Sequence, residues 1–337
     1  MDLAGKRIMA IGGAGLIGSH TVDRLLEEDL AELVIFDNFT RGRHSNIEAA
    51  LVDPRVSIYP HGGDITHPDI LTAAMEGIDG VFHFAALWLL HCWDYPRSAL
   101  KVNVEGTFNV LEACYRNDVE RLVYSSSASV YGDAVTEPMQ EDHPHNNTNF
   151  YGATKVAGEQ MCTSLYHRYL GTENEFDFVG LRYMNVYGSR QDYNGAYIAV
   201  IMKILDRLDQ GLPPIVYGDG SQAYDFVYVT DCAEANVCAM KAETTNEYYN
   251  VGTGIRTTIK ELAEMILDVT GSDLEIQYEP GGQTFVKNRI GCPEKAREQI
   301  AFDANVGLRE GLEQVIAWRE SDKAGLAERQ AEAAGKA

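Results

Sequence analysis

Three side chains in two short segments have the types and spacing to move a proton. Tyr151-Gly-Ala-Thr-Lys155 stands at the start of a predicted helix, where a spacing of four puts Tyr151 and Lys155 on one face. An ammonium beside a phenol favours the phenolate and draws its pKa toward neutrality. Such a pair can take a proton from an alcohol and return it. Ser127 lies in Tyr124-Ser-Ser-Ser127-Ala-Ser-Val-Tyr131-Gly132, directly after a predicted strand, and offers a hydroxyl to the same alcohol. Taken alone, Tyr-x-x-x-Lys also describes an ordinary surface pair, so the segment needs a partner chemistry before it carries weight.

A second motif supplies that partner. Gly12-Gly-Ala-Gly15-Leu-Ile-Gly18 joins the apolar run Arg7–Ile11 to a helical pattern over Ser19–Glu28. Glycines there allow a tight turn, let backbone approach a pyrophosphate, and bring helix and strand close together. The helix N-terminus then offers its free N–H groups to the phosphates. The next apolar run, Leu33–Phe36, ends at Asp37, whose carboxylate can accept from both hydroxyls of a ribose and opposes a 2′-phosphate. The combination predicts NAD, a hydride carrier, over NADP. Arg41 and Arg43 lie close enough in sequence to make the opposite choice.

Both motifs must be carried by strands that end side by side. Near-continuous apolar runs at 7–11, 33–36, 56–59, 80–83, 122–124 and 179–182 alternate with helical patterns near 67–76, 96–117 and 150–170. That alternation predicts an α/β chain built on a Rossmann-type doubly wound parallel sheet. After residue 185, turns such as Gly211-Leu-Pro-Pro and Tyr217-Gly-Asp-Gly become frequent. Residues 1–185 plus 225–250 are therefore expected to form an NAD-binding Rossmann domain. A smaller α/β substrate-binding lobe takes 186–224 plus 251–318, and a polar C-terminal tail takes 319–337.

Composition narrows the class of partner. The 337 residues are 45% hydrophobic and 23% charged, ordinary values for a soluble globular protein. A formal charge of −22 argues against nucleic acid or an anionic membrane as partner. No signal-peptide core follows the first residues, and the longest apolar stretch, Phe84–Leu90, is too short to span a bilayer. Cys92, Cys114, Cys162, Cys232, Cys238 and Cys292 are scattered, which suits a reducing compartment, so the expected location is cytoplasmic. No ligand spacing suggests a metal, and His83, His91 and His143 are expected to be structural.

Over residues 6 to about 318 the chain resembles the extended short-chain dehydrogenase/reductase family, in its NAD-dependent nucleotide-sugar epimerase/dehydratase branch. The resemblance is carried by 12–20, Asp37-Asn-Phe, Gly63-Asp64-Ile65, His83-Phe-Ala85-Ala86, 103–113, Ser125–Gly132 and Tyr151–Lys155. It continues through Leu181-Arg-Tyr-Met-Asn185-Val-Tyr-Gly188, Tyr217-Gly-Asp-Gly, Asp225-Phe-Val-Tyr-Val and Tyr249–Gly254. It implies that Gly12, Gly15, Leu16, Ile17 and Gly18 hold the pyrophosphate, and Asp37 and Asn38 the adenine-side ribose. Asp64 and Ile65 would flank adenine, and Ala85, Ala86, Leu87 and Asn103 would line the path to the nicotinamide. Lys155 would bond the nicotinamide ribose as well as Tyr151, and Tyr183 would pack near the nicotinamide. Substrate contacts would come from Ser127, Ser129, Asn185 and Tyr217. The family's dimers form through two long helices, here about 96–115 and 151–170, so a homodimer is expected.

Departures from the family pattern bear on the reaction. Dehydratases carry an Asp-Glu pair after the serine and decarboxylases a Glu, whereas this chain has Ala128-Ser129. That leaves epimerisation by oxidation and re-reduction, or net oxidation or reduction of a smaller alcohol. A cofactor-binding regulator without turnover is opposed by the intact Ser127, Tyr151 and Lys155. Tyr224 and Gly282 stand where arginines often grip the substrate diphosphate, and Lys287 and Arg289 are the cations nearby that could replace them. Trp88 and Trp93, in a segment more apolar than usual, suit core packing and site lining equally.

Overall fold

Near-continuous apolar strands are stable only where both faces of a sheet are covered. The computed structural model describes residues 1–193, 199–281 and 286–335, with side chains through residue 325. The strands are β1 (Arg7–Ile11), β2 (Glu32–Phe36), β3 (Val56–Ile58), β4 (Gly80–His83), β5 (Arg121–Ser127), β6 (Phe178–Tyr183) and β7 (Glu247–Val251). They form one parallel sheet in the order β7-β6-β5-β4-β1-β2-β3. This is the doubly wound arrangement the sequence pattern predicts. The order reverses between β1 and β4, the switch point at which sheets of this kind bind their ligands, outside the strands' C-terminal ends.

Alternation along the strands feeds two cores. Ile8 and Ala10 of β1 join Val22 and Leu25 of the helix α1 (Leu16–Leu25) and Val237 and Ala239 of the helix Val229–Lys241. Met9 and Ile11 point the other way, onto Val110, Leu111 and Cys114 of the helix Thr107–Arg116 and Cys162 of α2 (Phe150–Tyr169). At about 25 cal/mol per Å² of apolar surface removed from water, these two layers dominate the stability of the domain.

A third apolar cluster gathers Tyr187, Ile201, Leu205, Val216, Leu262, Ile266, Leu312 and Val315 under short strands and the helices Val200–Asp209 and Ile259–Thr270. Packing crosses the boundaries expected from sequence. Phe226, Tyr228 and Val229, from the segment assigned to the first domain, belong to this cluster because strand Phe226–Tyr228 pairs with Asn185–Tyr187. Ala296, Ile300 and Phe302, assigned to the lobe, pack into the sheet's own core. Position 319, expected to begin a tail, lies inside the helix Leu308–Gly335, where Arg319 is buried and ion-paired with Asp206 and Asp209.

Candidate active site

The glycine loop fits a dinucleotide for reasons visible at each glycine. Gly12 adopts φ +79°, and a Cβ there would lie 2.7 Å from the amide nitrogen of Ala85. A Cβ at Gly18 would lie 2.3 Å from the carbonyl oxygen of Gly12, so α1 could not approach β1 as closely. A Cβ at Gly15 would meet only the Gly12 oxygen, at 3.3 Å, so the backbone there faces open space. Gly15 caps α1 with no side chain of its own, which leaves the first-turn N–H groups, at Leu16, Ile17 and Gly18, to a ligand.

Asp37 closes the other end of the groove. Its carboxylate accepts the Ala14 N–H at 2.9 Å and the Phe39 N–H at 2.8 Å, and burial raises its pKa. Asn38 beside it is exposed. Asp64 accepts from the backbone and hydroxyl of Thr66, and the buried Ile65 holds the Asn109 amide through its carbonyl. Both nearby arginines are engaged elsewhere. Arg43 pairs with Asp192 at 2.9 Å, and the Arg41 guanidinium lies 3.9 Å from the centre of the Trp88 ring. Trp88 is thus half-buried beneath a cation, while Trp93 is exposed.

Ala85, Ala86 and Leu87 follow β4 and are partly exposed. Asn103 braces the loop that carries them. It is buried behind the loop, accepting the Leu87 N–H at 2.7 Å and donating to the Leu87 carbonyl at 3.0 Å and the Thr154 hydroxyl at 3.2 Å. Its amide is spent on fixing the loop against α2.

Ser127 ends β5, the longest strand of the sheet, and its side chain stands close enough to Tyr151 to favour the phenolate. Asn149 caps α2 by accepting the Gly152 N–H at 2.7 Å, which sets Tyr151 in the first turn. Lys155, one turn on, donates to the Ser125 carbonyl at 2.7 Å and sits 5.8 Å from the Tyr151 ring centre. The expected depression of the phenol pKa is reversed in the protein alone. Burial pushes Tyr151 up to about 12, opposed by the Ser127 hydroxyl and the fields of Arg289 and Arg41. Burial also brings Lys155 down to about 8. Tyr183 pairs in register with Ser127 and donates to Asn236 at 2.7 Å.

Three interactions escaped sequence reading. Glu159, on the same face of α2 one turn beyond Lys155, is buried and accepts from Ser126 at 2.5 Å and from Arg182 at 2.8 Å through two nitrogens. Its spacing from Lys155 was the available signal. Asp225 accepts from Thr253 and Gly254 and so ties the start of the lobe strand to the end of β7. The Arg41–Trp88 stack joins residues far apart in sequence and had no local signature.

On the substrate side, the Ser129 N–H donates to the Ser127 hydroxyl at 3.1 Å, and Arg289 reaches the Ser129 hydroxyl at 3.4 Å. Arg289 is 7% exposed, and its Nε has no hydrogen-bond partner. Lys287 is exposed, Asn185 partly so, and Tyr217 stands half-exposed at the end of a lobe strand. Tyr224 donates to the Val286 carbonyl at 2.8 Å. Gly282 lies outside the described residues. His83 and His143 are buried against Thr107 and Val135, as structural histidines are, and His91 packs on Trp88 and Tyr95.

Comparison with known proteins points the same way. The profile of a family described as NAD dependent epimerase/dehydratase matches residues 8–252. A putative UDP-glucose 4-epimerase of Methanocaldococcus jannaschii is 35% identical over 318 residues, covering 94% of this chain and 99% of the relative. The structure of a UDP-N-acetylglucosamine 4-epimerase from Methanobrevibacter ruminantium, solved with UDP-N-acetylmuramic acid, superposes with a TM-score of 0.87 at 30% identity, covering 95% of this chain and 99% of that one. A Thermus thermophilus UDP-glucose 4-epimerase solved with NAD gives a TM-score of 0.80 at 31% identity, covering 93% and 99%.

Proposed function

The chain belongs to the NAD-dependent epimerase/dehydratase family and works as a nucleotide-sugar epimerase with NAD, and we propose that its substrate is a UDP-sugar inverted at the 4-position. The observation that carries this reading is the linked set Ser127–Tyr151–Lys155 beside the glycine groove, with Ala128 and Ser129 where a dehydratase or decarboxylase needs carboxylates. NAD, when bound, takes up a hydride and gives it back. Gly12, Gly15, Leu16, Ile17 and Gly18 would hold its pyrophosphate, Asp37 and Asn38 its ribose, and Asp64 and Ile65 its adenine. Ala85, Ala86, Leu87, Lys155 and Tyr183 would border its reactive end.

Tyr151 accepts the proton of the sugar hydroxyl and later returns it, while Ser127 hydrogen-bonds the same oxygen in both directions. Lys155, held by the Ser125 carbonyl, supplies the positive field that a phenolate requires. Ser129, Asn185, Tyr217 and Arg289 are assigned to the sugar nucleotide, with the exposed Lys287 as the cation offered to its diphosphate. The exposed Tyr95, Leu100 and Phe108 favour a homodimer through the helices they border. A cytoplasmic location accords with the free thiols, and among the described residues no helix is long and apolar enough to cross a membrane.

The test is to incubate the holoenzyme with UDP-glucose or UDP-N-acetylglucosamine and follow the sugar by NMR and the cofactor by absorbance. The 4-epimer should appear with no accumulation of NADH. Tyr151→Phe should stop interconversion, a loss of roughly a hundredfold or more, while keeping bound NAD. NADH formed in step with product would overturn epimerisation in favour of net oxidation.

A further inference from the structure

Among the described residues four arginines are buried in this acid-rich chain, and three have an obvious reason to be there. Arg121 pairs with Asp177, Arg182 with Glu159, and Arg319 with Asp206 and Asp209. Arg289 is the exception among the described residues: no carboxylate lies within ion-pair distance. Asp133 is near enough to act through its charge, but it is exposed and makes no ion pair with Arg289, its Oδ1 accepting instead from the N–H groups of Lys287 and Asn288, each at 2.9 Å. A buried guanidinium without a counter-ion is costly, and arginine does not escape the cost by losing its proton. An anion supplied by a ligand would satisfy it.

The position of the guanidinium says which part of the ligand. Arg289 touches the Ser129 hydroxyl, the Ser129 N–H bonds the Ser127 hydroxyl, and Ser127 neighbours Tyr151 closely enough to favour its phenolate. The cation therefore stands two hydrogen bonds from the Ser127 hydroxyl, which is next to the phenol, at the reacting end of the sugar. On a pyranose held at Tyr151 by its 4-hydroxyl, the diphosphate leaves from the far side of the ring, whereas the substituent at carbon 5 is adjacent. A planar fork of N–H donors matches a carboxylate in bidentate fashion. Resting on the epimerase reading above, we propose that Arg289 and Ser129 form a subsite for a carboxylate carried on the sugar, so that the preferred substrate is a nucleotide-linked uronic acid and not its neutral hexose.

Calorimetric titration of the NAD-loaded enzyme with UDP, UDP-glucose and UDP-glucuronic acid tests this. Wild-type protein should bind the uronic acid roughly tenfold or more tighter than the neutral sugar, a comparison that needs no variant. Arg289→Met should lose roughly tenfold to a hundredfold on the uronic acid and leave UDP affinity unchanged, with Arg289→Lys in between. Retained NAD reports that each variant is folded. Equal wild-type affinity for the two sugars, or an Arg289→Met loss that falls equally on UDP, would overturn the proposal and make Arg289 a diphosphate clamp. If none of the three ligands binds the wild type, the nucleotide-sugar reading itself fails and takes this inference with it.

Discussion

At the scale of single residues, the chemistry depends on a charge the fold would be more stable without. Lys155 has a pKa of about 8 against an ordinary 10.5, because burial disfavours the ammonium. Between those values the unfolded chain holds the proton and the folded chain does not, so this group makes stability rise with pH across that window. At pH 7 the ammonium is present and buried, at a cost of up to about 3 kcal/mol before its bond to Ser125 is counted. Lys155→Met should therefore melt above the wild type at pH 7 while losing turnover, and the gap should close as pH rises from 8 to 10.5. A melting difference that ignores pH would show that the ammonium is not the source of the penalty. Tyr151 faces the same burial with the opposite charge, which is why Ser127, Arg289 and Arg41 matter beyond contact: each pulls the phenol back toward ionisation.

Elements place these residues, and α2 is fixed more firmly than its pattern suggests. Glu159 joins it to β5 through Ser126 and to β6 through Arg182, and Arg182 also reaches Tyr131 and the Glu141 carbonyl. Breaking a buried pair by removing one partner typically costs about 3–5 kcal/mol, whereas an apolar replacement of both costs far less. Urea unfolding should show Glu159→Leu strongly destabilised and the double variant Glu159→Leu/Arg182→Met recovering much of the loss. Strict additivity of the two single changes would deny the coupling.

The same helix marks where the sequence was legible. Continuous apolar runs located six of the seven sheet strands, and a helical spacing aligned Tyr151 with Lys155, because both signals are local. Glu159 and Arg182 stand 23 residues apart and meet only through sheet order, which no periodicity states. The bonds from Asn103 to Leu87 and Thr154 were equally invisible, because nothing in its neighbours says which way an amide faces. The phenol pKa was misjudged for a related reason: spacing announces the lysine and is silent about burial.

Across the whole molecule, one contact spans what the sheet separates. In the strand order, β2 and β4 flank β1, so a bridge between the loops that follow them passes over the glycine loop. Arg41 on Trp88 is such a bridge, and Arg43 on Asp192 fastens the same loop to the segment leading into the lobe. A dinucleotide lying in the groove would be strapped down. NAD should accordingly survive gel filtration, and Arg41→Ala combined with Arg43→Ala should release it during the same procedure, as followed by the absorbance of the protein fraction. Equal retention in wild type and variant would mean that the strap bears no strain. A carrier that stays in place changes what the enzyme senses. The only hydride it handles is the one its sugar lends and takes back, so the reaction would proceed at the same pace in a cell rich in reducing power and in one starved of it.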